Sequence, residues 1–411
     1  MTEFQISTTI KPPTPNSTAM SPQHLEDERM LRLFIYFLDG YVTLFIVLIG
    51  ISFNTFCMLI FQRMNRGKFS LAQYYLVIFL ACQTALLCNC FLIYSLPTIL
   101  YGDTRIKGPY SYVILIAHAF SGPSYIAITW IVLALTVERC FALQKPFAYR
   151  AMAKASRVKR IIIGLLVAAF IFCIPRLFEY KIVTECESNP LDTSTDTVNS
   201  TTCFITTTST ELLQNRTYWN VYHIWLMLGF VTLLPSLVVL SLTLRISCFL
   251  RDIAKQRRSF GIQKSNGATG TNCSRHERES NVMLIMVVIK FALSDPLPMA
   301  ESVIGAVAPE DSPAAAALLV SAANFLVVLC CSINFIMFFA SGRHFRRECR
   351  RMVSFTKDEP LNSSVSNDTC SHRLSSSVMD GDVSAIRFTN VNSQASSESR
   401  FTTKRRSAQV N

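Results

Sequence analysis

The sequence predicts an all-α membrane protein, a seven-transmembrane helix bundle with a short amphipathic eighth helix. Hydrophobic side chains make up 50% of the 411 residues and charged side chains only 16%, against about 25% charged residues in a typical soluble domain. Seven apolar runs are close to the roughly 20 residues that cross a bilayer, and bare backbone in lipid must be helical. The runs are Leu33–Phe61, Leu71–Leu100, Tyr112–Val137, Arg160–Phe178, Val221–Arg245, Val282–Val307 and Ala314–Ala340.

The distribution of basic residues predicts the orientation in the membrane. Lys and Arg concentrate in the loops after the first, third and fifth runs, whereas the loop after the sixth run has none. Cytoplasmic loops carry such an excess, so we expect a multi-pass plasma-membrane protein with its N-terminus outside. The net charge of +12 therefore reflects topology, and no nucleic-acid partner is expected because basic stripes with interleaved aromatic residues are missing.

Three regions follow from this topology. We expect a disordered extracellular segment over residues 1–32, a transmembrane domain over residues 33–351 and a disordered, Ser/Thr-rich cytosolic tail over residues 352–411. Candidate glycosylation sites in N-x-[ST] triplets on the predicted outer side are Asn16, Asn199 and Asn215. Similar triplets on the predicted inner side, where they lack this meaning, are at Asn272, Asn362 and Asn367.

Only two of the 14 cysteines lie clearly on the predicted outer side. Cys186 and Cys203 fall in the loop after the fourth run, whereas the others lie in runs or on the reducing, cytosolic side. We expect them to pair, a bridge worth about 3 kcal/mol in the loop-entropy model; two free thiols are the alternative. No metal cluster, glycine-rich phosphate loop or nucleophile constellation is visible, so we expect no enzyme, cofactor or metal site.

The third run ends in a signalling motif. The tripeptide Glu138-Arg139-Cys140, followed by Ala142 and Pro146, resembles the E/DRY…P motif of rhodopsin-like G-protein-coupled receptors. The resemblance implies that Glu138 holds Arg139 in an ion pair and that release of this arginine couples the protein to a heterotrimeric G protein. The alternative is an ordinary interfacial arginine.

Other runs carry further matches to the same receptor class. Residues 332–338 resemble a degenerate NPxxY motif in which Asn334 is kept, one phenylalanine replaces the proline and Phe338 replaces the tyrosine. Asn54 in the first run and Pro235 in the fifth match the class's inward-facing asparagine and its proline. The resemblance implies that these residues take part in the activation switch.

The sequence after the seventh run predicts the eighth helix and a regulatory tail. Residues 342–347 form an amphipathic pattern suited to the cytosolic face of the membrane. Cys349 closes this helix and is a candidate palmitoylation site; a plain free thiol is the alternative. The Ser/Thr-rich tail suits phosphorylation, which implies receptor kinases and arrestin as partners.

Two stretches resemble a narrower branch, the invertebrate FMRFamide-peptide receptors. They are residues 174–180 and residues 324–346. The resemblance implies a short extracellular peptide ending in Arg-Phe-amide as the ligand. The sequence departs from the wider class at Ile114, where a bridging cysteine is usual, at Gln83, where an aspartate binds sodium, and in lacking the sixth-span switch tryptophan. The resemblance therefore does not extend to the usual switching residues or to the usual sodium site.

An Arg-Phe-amide ligand requires a carboxylate for its arginine and an apolar wall for its phenylalanine. The carboxylate candidates are Glu301, which we favour, Glu179, Asp295 and, less strongly, Asp39. The candidates for the apolar wall, each also explained by plain packing, are Phe178, Tyr94, His118 and Tyr125. Glu179 follows Arg176 by three residues, so an internal ion pair is the alternative for this carboxylate.

The sixth run contains two charged residues, Lys290 and Asp295, and a charge in a membrane indicates function by default. Five residues apart, they point about 140° from each other on a helix, so we do not expect a direct pair. A charged sixth helix would also suit a transporter or channel, although no internal repeat is visible. A receptor for a non-peptide ligand is a further alternative, but a retinal protein is excluded because the last run contains no lysine.

Overall fold

The computed structural model describes residues 22–64, 71–102, 108–152, 154–188, 201–259, 282, 285–290, 292 and 313–353. Five helices within these residues are long and apolar enough to cross a membrane, or six if a bent pair near the C-terminus counts as one span. The predicted sixth run is described only at residues 282, 285–290 and 292, which are helical. The predicted all-helical membrane bundle is therefore confirmed as the fold class.

The first, second, third and fifth apolar runs lie within helices that extend beyond them, whereas the helices of the fourth and seventh runs end before the run does. The elements in chain order are α1 (residues 22–64), α2 (Leu71–Tyr101), α3 (Tyr110–Gln144), α4 (Pro146–Met152), α5 (Ala155–Phe172), β1 (Tyr180–Ser188), β2 (Thr201–Ser209), α6 (residues 216–259), α7 (Pro313–Ser332), α8 (Asn334–Ser341) and α9 (Arg343–Val353). A 3-10 turn, Ile174–Phe178, follows α5, and a one-turn helix, Glu211–Gln214, follows the hairpin.

Residues 22–32 are helical, where the sequence predicted disorder. Pro22 starts α1, a position at which proline costs no hydrogen bond. Glu28 and Arg32 then form an ion pair of 3.4 Å across one helical turn, which supports an exposed helix. Membrane spans were identified from apolar residues alone, so this polar extension of the helix was not predicted.

The third helix, α3, is the central element of the bundle and packs against α2, α5 and α6, while α1 packs against α2 and α7. The small residue Gly50 allows α1 to approach α7 closely, because a Cβ atom there would overlap the side chain of Ser332. Small residues serve this purpose in membrane bundles, where van der Waals packing drives helix association.

A β-hairpin lies between α5 and α6 and is a feature that the all-helical prediction lacks. Its strands pair antiparallel, and a disulfide joins Cys186 to Cys203 directly across the register. The hairpin contacts the start of α3: the Gly108 amide donates to the carbonyl of Ile205 at 2.7 Å, and the Thr207 hydroxyl donates to the carbonyl of Ser111 at 3.2 Å. We call this end of the bundle the hairpin end and the opposite one the α9 end.

The segment at the C-terminal end of the bundle bends by 41° where α7 meets α8. The bend falls at Ile333, and Phe335 stands where the receptor motif has proline. Beyond it, α9 is the predicted amphipathic eighth helix. It buries Phe345, Glu348 and Cys349, while Arg343, Arg347, Arg350 and Arg351 are exposed.

Candidate functional site

Buried polar side chains join four parts of the bundle in what we call the central cluster: Asn54 of α1, Gln83 of α2, Asn334 of α8 and Lys290 of the sixth-span segment. Lys290 Nζ donates to Asn334 Oδ1 at 2.8 Å, and Asn334 Nδ2 donates to Asn54 Oδ1 at 2.8 Å and to Gln83 Oε1. Asn334 Nδ2 also reaches the carbonyl of Cys331 at 2.8 Å.

The buried ammonium group of Lys290 finds interaction partners within the central cluster. The side chain is 4% exposed, and its ammonium also lies 5.3 Å from the ring centre of Phe79. A buried charge needs such partners, and an amide oxygen plus an aromatic face supply them here. The predicted inward-facing positions Asn54 and Asn334 do meet, while Lys290 joins them without having been predicted to.

A second set of charged side chains, the Glu179 cluster, lies beneath the hairpin. It comprises Glu179, Arg176, His223 and Tyr218. Arg176 Nε lies 3.6 Å from Glu179 Oε2, and the Tyr218 hydroxyl donates to Glu179 Oε1 at 2.9 Å. His223 Nε2 lies 3.0 Å from the same Oε1 atom and completes an ion pair when the imidazole is protonated. Glu179 is only 1% exposed.

Burial alone would raise the pKa of Glu179, but the contact with His223 and the charge of Arg176 outweigh it and lower the pKa below its ordinary value of 4.5. The carboxylate is therefore ionised and already has three partners. An internal ion pair with Arg176 was the sequence-based alternative to ligand binding, and this ion pair is present. Glu179 is therefore not open to a ligand's arginine in this conformation.

Local structure explains how the Glu179 cluster forms. Arg176 lies against Gly122 of α3, where an added Cβ atom would come within 3.0 Å of its Nη1 atom. Residues Trp219–Leu233 of α6 form wide, i→i+5 turns, which bring Tyr218, Tyr222 and His223 into mutual ring contact. The predicted residue Pro235 is buried just after these turns, and its missing N–H favours a departure from the regular helix there.

The other predicted ligand residues divide into three groups. His118 is half-buried on α3 and its ring centre lies 4.5 Å from that of Tyr180 in β1, while Tyr125 is likewise half-buried on α3. Phe178, the last residue of the 3-10 turn, is 64% exposed, and its place in an apolar wall stays a prediction. The predicted carboxylates Glu301 and Asp295 lie outside the described residues.

Asp39, the weaker carboxylate candidate, lies in α1 at the hairpin end. Its Oδ2 atom accepts a hydrogen bond of 2.7 Å from Ser321 of α7, and its backbone carbonyl accepts one of 3.0 Å from Ser95 of α2. Asp39 therefore helps to hold three helices together, although its side chain remains only half-buried.

The E/DRY-like motif at the α9 end differs from the expected arrangement. Tyr149 of α4 donates from its hydroxyl to Glu138 Oε1 at 2.6 Å, and in the described part of the chain no ion pair of 4.0 Å or less links Glu138 to Arg139. Burial and the hydrogen bond to Glu138 raise the pKa of Tyr149. The expected Glu138–Arg139 pair is therefore absent from this conformation, because the helix after Pro146 places a phenol beside the carboxylate.

Aromatic rings pack between α1, α8 and α9 at the same end. Phe338 lies 5.3 Å from Phe61, and Phe345 lies 5.4 Å from Phe61 and 6.0 Å from Phe338, measured between ring centres. Glu348 of α9 forms an ion pair of 3.1 Å with Arg63 at the end of α1. These contacts hold α9 against α1. We call the three packed rings, Phe61, Phe338 and Phe345, the aromatic core.

Cys349 packs into this region and is 6% exposed. It follows Phe345 by one helical turn and so faces α1 rather than lipid or water. Cys349 is a free, buried thiol in this conformation, and its palmitoylation stays a prediction. A helix wheel identifies an apolar face but does not reveal that another helix covers it.

Of the three predicted glycosylation sites, only Asn215 belongs to the described residues; Asn16 and Asn199 lie outside them. Asn215 is exposed at the start of α6, and its Oδ1 atom caps the helix by accepting from the amides of Thr217 and Tyr218. The hydrogen bonds of this cap do not involve Nδ2, which is the atom that would carry a glycan.

These features define a helical, multi-pass membrane protein whose helices are tied together by buried polar clusters. The chain belongs to the rhodopsin family of receptors with seven transmembrane segments, since the family model "7 transmembrane receptor (rhodopsin family)" matches residues 53–337. No curated protein matches the chain significantly. As a member of this family, the protein is a signalling receptor of the plasma membrane.

Proposed function

We propose that this protein is a receptor for an extracellular, FMRFamide-like amidated peptide and that it activates a heterotrimeric G protein. One observation carries the choice of ligand class. The first stretch that resembles the FMRFamide-peptide receptors, residues 174–180, contains both Arg176 and Glu179, whose ion pair is buried beneath the hairpin. The second stretch contains Asn334, the centre of the central cluster. Both stretches that resemble the FMRFamide-peptide receptors therefore contain residues that form buried polar contacts.

In this proposal the hairpin end faces outward and receives the peptide. The basic loops at the α9 end then face the cytosol, in keeping with the positive-inside rule, and the Cys186–Cys203 bridge lies on the oxidising side. Glycans on Asn16, Asn199 and Asn215, together with a cytosolic C-terminal tag, are the expected signs of this topology.

The peptide's arginine requires a carboxylate that the protein itself does not occupy. Glu179 has three partners already, so we assign this role to Glu301, with Asp295 and Asp39 as the remaining candidates. Arg-carboxylate contacts are charge-assisted and bidentate. A neutral amide terminus is preferred, because a free carboxylate beside the same acidic residue would be costly to bury.

Coupling is assigned to the α9 end of α3. Glu138 is engaged by Tyr149, which leaves the guanidinium of Arg139 available to a G protein. Receptor kinases and arrestin are the proposed partners of the Ser/Thr-rich tail, since added phosphate creates strong charge-assisted contacts.

The test is nucleotide exchange on a G protein in membranes that contain the receptor, with a library of amidated peptides as ligands. We expect an Arg-Phe-amide peptide to act, its free acid and its citrulline analogue to lose potency, and Arg139→Ala to abolish exchange while peptide binding persists. Glu301→Gln should reduce potency by tens to thousands of fold, as for loss of one partner of a buried charge pair. Equal potency of the citrulline peptide, or ion flux without nucleotide exchange, would contradict the proposal.

A further inference from the structure

A basic recess lies at the start of α5, at the α9 end of the bundle. It is a shallow depression, largely open to solvent, with a volume of about 510 Å³, and it is lined by Arg157, Arg160 and Ile161. The surrounding sequence, residues 145–160, holds six Lys or Arg and no Asp or Glu. Both arginines are exposed, and among the described residues neither forms an ion pair with a carboxylate. The recess therefore presents uncompensated positive charge.

The arginines begin a continuous stripe along one face of α5. Arg160 and Ile161 lie three and four residues after Arg157, and Gly164 lies four and three residues after them, spacings that place side chains on one helix face. The exposed residues Val167 and Ile171 extend the same face. A Cβ atom at Gly164 would meet nothing within 4 Å, so the stripe contains an open, shallow stretch just above the recess.

The dimensions of the stripe match half a bilayer. Eleven residues separate Arg160 from Ile171, which is about 16 Å along a helix, and one leaflet contributes about 15 Å of the roughly 30 Å hydrocarbon thickness. A charged group bound at the arginines would thus lie at the membrane surface, while an acyl chain attached to it would run beside Gly164 toward Ile171.

Two further features favour an anion at this place. The lining residues belong to the first two turns of α5, and the N-terminus of a helix of this length carries a partial positive charge. Lys159, which lies between the two arginines in the chain, has its Nζ atom 5.7 Å from the ring centre of Tyr74 in α2 and adds a third positive charge to the same turn of helix.

We propose that this recess binds the phosphorylated headgroup of a phosphoinositide from the cytosolic leaflet, with one acyl chain along the stripe of α5. Arginine guanidinium groups bind phosphate monoesters in a bidentate manner, and basic pockets at the cytoplasmic side of transmembrane helices suit such headgroups. The inference rests on the proposed function for one point only, that the α9 end faces the cytosol.

The experiment measures lipid retained by the purified full-length receptor in nanodiscs. The discs contain phosphatidylcholine with either phosphatidylinositol bisphosphate or phosphatidylserine at equal total charge. The test variant is Arg157→Gln with Arg160→Gln. The matched control is Arg251→Gln with Lys255→Gln, an exposed basic pair near the end of α6. We expect a loss of about thirtyfold in bisphosphate affinity for the test variant, about fivefold for each arginine, and little change for the control.

A second variant separates the lipid from its soluble headgroup. Gly164→Leu fills the open stretch but keeps every charge, so it should weaken binding of the intact lipid and leave binding of soluble inositol trisphosphate unchanged. Equal losses in the two double variants, or retention of phosphatidylserine equal to that of the bisphosphate lipid, would overturn the proposal in favour of general surface charge. Soluble inositol trisphosphate binding as tightly as the lipid would overturn the role of the acyl chain.

This outcome is distinguishable from failure of the proposed function. Both leaflets of a nanodisc are accessible and have the same composition, so binding there does not depend on orientation or on a peptide. If an antibody reached a C-terminal tag on intact cells, the proposed topology would fail even though the recess still bound lipid in nanodiscs.

Discussion

Replacing Glu179 with glutamine tests whether the Glu179 cluster supports the fold or binds ligand. The substitution keeps the size of the side chain and removes its charge. Arg176, which is 5% exposed, then loses the carboxylate that lies 3.6 Å away. If the cluster is structural, Glu179→Gln should destabilise the receptor and leave the peptide potency of each folded molecule unchanged.

The size of the effect follows from the geometry. Two unit charges about 4 Å apart attract each other by roughly 4 kcal/mol at an effective dielectric constant of about 20. Removal of one partner from a buried pair costs about 3–5 kcal/mol, because the other charge remains buried. We therefore expect Glu179→Gln to lower the free energy of unfolding by at least about 3 kcal/mol. Tyr218→Phe, which removes a single hydrogen bond to the carboxylate, should cost about 1.5–3 kcal/mol.

The assay is thermal unfolding of the purified receptor, followed with a thiol-reactive dye because many of its free cysteines are buried. Glu211→Gln, an exposed carboxylate at the same end, is the matched control and should unfold at the wild-type temperature. Adding Arg176→Met to Glu179→Gln should recover part of the loss, since no buried charge remains. Wild-type stability combined with reduced peptide potency would refute the structural role and return Glu179 to the ligand site.

The same cluster predicts a dependence on pH. The pKa of Glu179 is lower in the folded state than its ordinary value of 4.5. Its contribution is therefore complete above pH 4.5 and is lost as the pH falls through the lower, folded-state pKa. The stability difference between wild type and Glu179→Gln should be constant from pH 7 to about 5 and shrink in stronger acid. A difference that shrinks already near neutral pH would contradict this assignment.

Substitutions at three other sites test the remaining contacts. Tyr149→Phe should free Glu138 to capture Arg139 and so reduce peptide-stimulated nucleotide exchange; an increase would contradict this reading. Lys290→Met should raise basal exchange, because it removes the hydrogen bond between the sixth-span segment and α8, and unchanged basal exchange in a folded receptor would count against the role of that bond. Serine at either cysteine of the hairpin bridge should reduce surface expression equally, with the double variant no worse than a single one.

The sequence revealed those parts of the site that depend on local spacing. Residues three apart on a helical turn meet, which is why the pairing of Arg176 with Glu179 was open to inference. His223 completes the same cluster from another helix, and a lone histidine in an apolar run carries no signal for a distant carboxylate. Lys290 illustrates the same limit: its charge indicated importance, but its partner lies 44 positions further along the chain.

The burial of single side chains could not be inferred in the same way. Phe178 and Cys349 were assigned from composition and position, whereas their exposure depends on which neighbouring element covers each helix face. The hairpin, by contrast, had a usable signal: residues 180–188 and 201–209 are rich in Thr, Val and Ile, which favour strands. Recognising those strands together with the expected bridge would have predicted the antiparallel pairing.

The two ends of α8 respond differently to an applied displacement. At Asn334 the contacts are directional hydrogen bonds, which weaken steeply when their angles change. At Phe338 the contacts are ring edges and faces against Phe61 and Phe345, which tolerate a range of offsets and tilts. If α8 rotated, the interaction energy at Asn334 would therefore be lost over a small change in angle. The interaction energy at Phe338 would change only gradually. The first residue of this short helix is thus fixed in orientation by hydrogen bonds, whereas the residue one turn later can shift against its aromatic neighbours.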